Sequence, residues 1–365
     1  MSDRLDIVII MSALDIGGAQ RFCLNVSRYF EKKKTKYEIV FLRKGKDDKL
    51  KNEFIDSRVK FREMNCKSVV RSLPKLIKYL RHEKPRFMLS SVGNVDFVAS
   101  IAKLFCPKSK LIIRKANVIF DDQNTRLTRA QLRFEARMCY KMVALTNAMK
   151  KDYLKYGFAE EKIVVINNMV DLNYIQNKAK TPGVDLVKAD NDKMLVTNAR
   201  FVPEKRYDIL INSFIKLCHR RCDVKLVLIG DGPLFEDVKK MVPEELKTRV
   251  VFLGFQNNPY SIMARADLFV FTSDYEGFPN VIIEAMACGL PIVSTNSKTG
   301  PREIIQQGVQ GYVVERRDVD AIVRRIETIL NSEDLRVIMA NNSRKRAKEY
   351  DVDVIAERYL DLIKG

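Results

Sequence analysis

Two carboxylates, Glu276 and Glu284, stand with seven residues between them in the stretch Ser273–Pro291. The first lies in a turn after the apolar run Leu268–Phe271, at the carboxyl end of an expected strand. Open α/β sheets bind ligands at that place. The amides of Gly277 and Phe278, with Pro279 expected at the first helical position and Asn280 behind it, form a helix start suited to an anion. Glu284 falls in the second turn, among Ile282, Ile283, Ala285, Met286 and Ala287. A carboxylate on so apolar a helix is costly to bury unless it accepts hydrogen bonds, and a ribose diol would supply two. A neighbouring Lys or Arg would satisfy it as well, since structural ion pairs are common.

Arg200 and Lys205 follow another short apolar strand, Leu195–Thr197. A fixed cation pair there suits a diphosphate leaving group, whose charge grows as its bond breaks. In a chain with 65 Lys and Arg, solvated surface charge is the plain alternative. The position after a strand, in register with the acidic motif, favours the site.

Metal chemistry finds no support in the spacing. Cys218, His219 and Cys222 cluster without a fourth ligand at a recognisable distance. The pairs Asp190/Asp192, Asp318/Asp320 and Asp351/Asp353 lie in polar connectors or helix ends, and none follows an apolar strand. Seven scattered cysteines read as reduced thiols. Neither a metal nor a cofactor is expected.

The elements that must position these groups alternate regularly. Strands at Ile7–Met11, Tyr37–Leu42, Val59–Phe61, Phe87–Ser90, Leu111–Arg114, Met142–Leu145 and Ile163–Ile166 are separated by helical patterns. A polar connector around Thr181-Pro182-Gly183 follows, and the alternation restarts at Leu195. Short strands alternating with helices mean parallel sheets with crossover connections. The 365 residues exceed what one core usually supports. The expectation is two doubly wound domains, 1–170 and 171–345, with a terminal helix over about 346–365 packing back on the first.

Charge is divided unevenly between them. Residues 1–170 hold 36 Lys and Arg against 18 Asp and Glu, whereas the remainder hold 29 against 28. Such asymmetry calls for an anionic partner on the first half. Nucleic acid would require aromatic residues interleaved with the basic ones or a recognition helix, and neither is present. The helical pattern Val69–Arg81 sets Val69, Val70, Leu73, Leu76, Ile77 and Leu80 opposite Arg71, Lys75, Lys78 and Arg81. That is an ordinary amphipathic helix with a solvated basic face, or, with Lys32-Lys33-Lys34, a face for an anionic membrane. The apolar run at Ile7 is too short for a signal peptide or a span, so a cytoplasmic protein, peripheral on the inner face of the cell membrane, is expected.

Glu276, Glu284 and the following Ala-Met-Ala-Cys-Gly-Leu-Pro-Ile-Val resemble the signature of retaining GT-B glycosyltransferases of family 4. The resemblance implies two Rossmann-like domains facing across a cleft, with the acceptor on the first and a nucleotide sugar, by family habit UDP-linked, on the second. It implies that Glu276 contacts the donor sugar, Glu284 holds the ribose, and Arg200 and Lys205 hold the diphosphate. Gly230-Asp231-Gly232 is similar to the family's glycine turn, and Gly17-Gly18-Ala19-Gln20 to the Gly-Gly-Ala-Glu that opens its first helix. Gln20 replaces the commoner acid. Gly300-Pro301-Arg302-Glu303-Ile304 resembles the subgroup that builds bacterial surface polysaccharides and lipid-linked oligosaccharides; a plain strand–turn–helix reads equally well there. Many relatives carry a histidine near the sugar, where this chain has Arg114-Lys115-Ala116-Asn117. A front-face mechanism needs no protein base if the leaving phosphate takes the acceptor's proton, so Arg114 and Asn117 are expected on the acceptor side. A non-catalytic scaffold of the same fold, binding nucleic acid or membrane, is the alternative. The intact acids and cations disfavour it.

Overall fold

The computed structural model describes residues 4–15, 17–45, 48–91, 93–116, 125–184 and 192–364. The chain divides into two compact units, one of residues 1–169 with 352–365 and the other of residues 170–351.

The first unit is built on β1 (Ile7–Met11), β2 (Tyr37–Phe41), β3 (Phe61–Glu63), β4 (Phe87–Ser91), β5 (Lys110–Lys115), β6 (Lys141–Ala144) and β7 (Ile163–Val165). They form one parallel sheet in the order β3-β2-β1-β4-β5-β6-β7. Its helices are α1 (Gly18–Lys32), α2 (Asp48–Asp56), α3 (Leu73–Glu83), α4 (Asn94–Leu104), α5 (Arg126–Met138) and α6 (Asn147–Leu154). Helices on both faces explain why β1 is buried at every position, as a near-continuous Ile/Val run requires.

The second unit opens with α7 (Leu172–Ala179) and continues through β8 (Lys193–Asn198), α8 (Tyr207–Cys218), β9 (Val224–Ile229), α9 (Phe235–Lys240) and β10 (Val250–Phe252). It then runs through α10 (Tyr260–Met263), β11 (Leu268–Phe271), α11 (Asn280–Ala287), β12 (Ile292–Thr295), α12 (Pro301–Ile304) and β13 (Gly311–Val314). Two longer helices, α13 (Val319–Leu330) and α14 (Glu333–Ala347), close it. The sheet is again parallel, in the order β10-β9-β8-β11-β12-β13.

The last helix, α15 (Val352–Lys364), belongs to the first unit and packs along α1. Tyr359 meets Phe22 with ring centroids 5.1 Å apart. The expected start near 346 falls instead within α14, which stays with the second unit. Lys32 pairs with Asp353 at 2.7 Å and Lys33 with Glu357 at 3.2 Å. These two lysines, expected to join a membrane-facing surface, are thus partnered by the returning helix.

In each sheet the strand order reverses once, between β1 and β4 and between β8 and β11. The loops leaving the carboxyl ends of those strands flank a crevice, the usual ligand position in such sheets.

Candidate active site

Lys205 and Glu276 come from the two loops that flank the second unit's crossover point. The ammonium of Lys205 donates to Glu276 Oε1 at 2.5 Å, with both side chains largely shielded from water. Lysine carries three donors, so this contact leaves others for a ligand.

The loops are stitched together by backbone contacts. Thr272 Oγ1 donates to the Lys205 carbonyl at 2.9 Å, Ser273 Oγ donates to the Glu204 carbonyl at 3.0 Å, and the Asp274 amide donates to the same carbonyl at 2.8 Å. Behind them Thr295 Oγ1, at the end of β12, donates to the Ser273 carbonyl at 2.8 Å. Thr299 Oγ1 reaches the carbonyls of both Glu276 and Gly277, the latter at 3.0 Å. Gly300 has φ +100°, and a Cβ there would stand 2.4 Å from Pro279 Cδ. The Thr299-Gly300-Pro301 segment is therefore a brace under the acidic loop.

Arg206, Asp274 and Arg317 were not singled out from the sequence, yet they set the shape of this crevice. Arg206 adopts a left-handed conformation, φ +51°, which costs a non-glycine residue on the order of 1 kcal/mol. Its guanidinium bonds Asp208 at 2.8 and 2.5 Å and buried Asp274 at 3.0 Å. Arg317, also left-handed, reaches the same Asp274 oxygen at 2.9 Å. The hydrogen bond to Asp208 is the main reason the Arg206 pKa is raised, and the same contact lowers that of Asp208. The only sequence signal for this knot is the Arg-x-Asp spacing at 206 and 208.

Arg200 is exposed, but its backbone is fixed on both sides. Tyr207 Oη donates to the Ala199 carbonyl at 2.8 Å, and Phe201 is buried in a stack on Tyr207 with centroids 4.0 Å apart. The Gly230-Asp231-Gly232 turn presses against this segment. Cβ atoms at Gly230 and Gly232 would lie 2.0 Å from the Ala199 carbonyl oxygen and 2.7 Å from that of Phe201. Asp231 is exposed, with one carboxylate oxygen accepting from the Gly232 amide at 2.7 Å. Beside the turn, the Gly230 amide donates to the Gly254 carbonyl at 2.9 Å. That contact places Phe255, 68% exposed, at the same end of the sheet. An exposed aromatic face in this position suits a flat ring.

Two expectations change on the acidic helix. Pro279 is the residue before α11 rather than its first, and Asn280 opens the helix. The Phe278 ring is buried and packs against Tyr350, with ring centroids 5.9 Å apart, so what this residue can offer an anion is its backbone amide. Glu284 is half-buried on α11, while Ile282, Ile283, Ala285, Met286 and Ala287 are buried. Its carboxylate is thus only partly desolvated.

In the first unit, Gly17 precedes α1 in an extended conformation, and a Cβ on Gly18 would touch nothing within 4 Å. The Gln20 amide donates to the Ala13 carbonyl at 2.9 Å across the loop. A glutamate could not make that bond, so the exchange of acid for amide has a structural role here. The expectation for Arg114 is overturned by its burial, 1% exposed. Its guanidinium bonds Ser91 at 3.0 Å and Asn168, and lies 4.0 Å from the Phe22 ring centroid. It is a core residue, not an acceptor contact. Asn117 lies outside the described residues.

Of the residues in the Asp pairs, Asp190 lies outside the described residues and Asp353 pairs with Lys32. Asp192 pairs with Lys225 at 2.7 Å, Asp318 caps α13, Asp320 pairs with Lys216, and Asp351 accepts from the Leu172 amide. Burial pushes the Cys218 thiol up to about 11, and Cys222 is exposed.

Residues 16–174 match the family model described as Glycosyltransferase Family 4, and residues 184–346 match Glycosyl transferases group 1. A Campylobacter jejuni N-acetylgalactosamine-N,N'-diacetylbacillosaminyl-diphospho-undecaprenol 4-alpha-N-acetylgalactosaminyltransferase is 29% identical, over 74% of each chain. The amylovoran biosynthesis glycosyltransferase AmsD of Erwinia amylovora is 27% identical over 85% of this chain and 86% of its own. The crystal structure of Anabaena Alr3699/HepE in complex with UDP has a TM-score of 0.81 at 19% identity, covering 98% and 99% of the two chains. With two parallel-sheet domains of this topology, and family models that account for nearly the whole of 16–346, the chain belongs to the GT-B glycosyltransferases, family 4 in its first domain and group 1 in its second.

Proposed function

We propose that the protein is a retaining, metal-independent hexosyltransferase that moves a hexose or N-acetylhexosamine from a UDP-sugar to a lipid-diphosphate-linked or polysaccharide acceptor in bacterial cell-surface glycan synthesis. The observation that carries this reading is the Lys205–Glu276 contact at the strand crossover of the second domain. Lys205 and exposed Arg200 neutralise the diphosphate as it departs, which is where charge develops in the transition state. Glu276 hydrogen-bonds the donor sugar, and the departing phosphate takes the acceptor's proton. Gly230, Asp231 and the Gly277–Asn280 helix start hold the donor, Glu284 takes the ribose hydroxyls and Phe255 takes the base, and in the first domain Gly17 and Gly18 are assigned to the donor as well. Support for the acceptor class comes from relatives named for undecaprenol-linked and capsular substrates.

A nucleotide-release screen over UDP-, GDP- and ADP-sugars, with and without a lipid-diphosphate acceptor, tests the reading. UDP release that depends on acceptor, persists in EDTA and gives a product with the donor's anomeric configuration is the expected result. Release abolished by EDTA, or an inverted product, would overturn the mechanism.

The basic first domain, on this reading, meets an anionic membrane surface. Arg71, Lys75, Lys78 and Arg81 are exposed on and before α3, while Leu76 and Leu80 are buried. Val70, expected on the apolar side, is exposed among the cations instead. Each cation near such a surface contributes on the order of 1 kcal/mol. Co-sedimentation with anionic but not neutral vesicles at low salt is expected, and equal binding to both would sink the idea.

A further inference from the structure

We propose that Asp274 is a positioning residue for sugar transfer, tying together four adjacent loops of the second domain and so fixing Lys205 and Glu276 relative to each other. The inference rests on the glycosyltransferase reading above and adds to it a residue that acts through others.

The strands β8, β11, β12 and β13 are consecutive in the sheet, and Asp274 stands in the loop after β11. It is bonded to the loops that leave the other three. From the loop after β8, Arg206 Nη1 donates to Asp274 Oδ2 at 3.0 Å, and the Glu204 carbonyl accepts from the Asp274 amide at 2.8 Å. From the loop after β13, Arg317 Nη2 donates to the same Oδ2 at 2.9 Å. From the loop after β12, the Lys298 amide donates to the Asp274 carbonyl at 3.4 Å.

The Arg206–Asp274 bond lies one residue from Lys205 and two from Glu276, so it forms a second rung beside theirs. On the reading above, Lys205 and Glu276 each have a substrate group to hold as well as each other. The rung through Asp274 is not shared in this way. Arg206 also bonds Asp208, and the four side chains make a set of two guanidiniums and two carboxylates with no net charge to draw an anion.

As a device for folding alone the arrangement is costly. Asp274 Oδ1 is shielded from water and has no hydrogen-bond partner among the described residues. Arg206 and Arg317, the two donors to Oδ2, both hold left-handed backbones. Strain of this kind collects at functional sites, where the surrounding structure enforces it.

The test is steady-state kinetics with UDP-binding calorimetry on Asp274→Ala, Asp274→Asn and Arg317→Met, each well below its Tm. Asp274→Ala is expected to lower kcat by about 10–100-fold, the scale of loss when reacting groups are misplaced from a distance, with UDP affinity close to the parent's. Asp274→Asn should recover most of that loss, because its amide oxygen still accepts from both arginines and its amide nitrogen replaces an oxygen that has no partner to lose. In a Lys205→Ala background Asp274→Ala should cost little more, since the group it positions is gone. Unchanged kcat in Asp274→Ala, a loss of UDP affinity as large as the loss in kcat, or equal defects in the Asn and Ala variants overturns the inference. So does the same factor in both backgrounds, which is what a general loosening of the domain would give. Should Asp274→Ala not fold, Arg317→Met decides, because that side chain is 60% exposed: a several-fold lower kcat supports the inference and a parent-level kcat overturns it. A parent protein that releases nucleotide from no donor overturns the glycosyltransferase reading and this inference with it, whereas an active parent matched by its Asp274 variants overturns the inference alone.

Discussion

Lys205→Ala is expected to lower kcat by about 10²–10³-fold, the loss seen when one preorganised donor to a developing negative charge is removed. The fold should survive. The side chain is shielded but sits at a loop, and its removal deprives Glu276 of one partner, a cost of about 1 kcal/mol that lowers Tm by about 2–4 °C in a domain of this size. Glu276→Gln separates charge from shape. The amide oxygen still accepts from Lys205, so Tm should stay at the parent value while turnover falls by a similar factor. The double variant should lose much less than the product of the single losses, because the two side chains act as one unit. Steady-state kinetics, UDP binding and calorimetry on the three variants decide the matter. Full activity in either single variant would show that the crossover pair is structural.

A second large effect is expected in the first domain, on stability alone. Lys115, at the end of β5, is buried and bonds Asp96 of α4 at 2.9 Å and Glu135 of α5 at 2.6 Å, both acids fully buried. Ser90 supplies a further bond to Asp96 at 2.7 Å, and Gln131 one to Glu135 at 2.9 Å. Burial opposes the charge of Lys115, but the two carboxylates outweigh it and raise its pKa well above the usual lysine range. That stabilisation is complete below the unfolded lysine pKa and is lost only in strong alkali. Burial raises the Glu135 carboxyl, and Lys115 offsets this only in part. Lys115→Met leaves two buried carboxylates without a cation, which costs about 3–5 kcal/mol. Tm should fall by roughly 6–20 °C at neutral pH. With the buried Glu135 carboxyl then deprived of the cation that offsets its burial, the deficit is present at high pH and shrinks as pH falls toward 5. Glu135→Gln added to the variant should recover part of the loss. A Tm within a degree or two of the parent across this pH range would show that the node is solvated.

The sheets were legible because β-branched runs such as Ile7–Met11 and Leu268–Phe271 are buried on both faces and break cleanly at glycine and polar residues. Short helices were less so. In α7 only Leu172 and Ile175 are buried, too few to show a period, and Asp171 starts the helix by accepting from the Tyr174 amide at 2.8 Å. At the candidate site, residue types in a strand–loop–helix motif pointed to Glu276 and Lys205, because both stand in loops that follow apolar strands. Asp274, Arg206 and Arg317 escaped notice because left-handed backbones at 206 and 317 bring them together, and those conformations carry no glycine signal. Arg114 misled for the opposite reason. Its charge suggested a ligand, while the groups that bury it, Phe22, Ser91 and Asn168, are distant along the chain. The Thr299 brace was visible only as a turn motif until its hydroxyl was seen to hold two carbonyls of the acidic loop.

The packing of α15 on α1 sets an order of events during synthesis. Tyr29 of α1 bonds Glu357 across 328 positions of sequence. As the chain emerges from the ribosome, the amino-terminal sheet forms early, but the apolar flank of α1 around Phe22 waits for residues that are translated after the whole second domain. Domains generally fold as units during translation, so the second domain can finish while the first is still incomplete. The segment made first is the last to be sealed, and for that interval it presents an uncovered hydrophobic strip to chaperones and proteases.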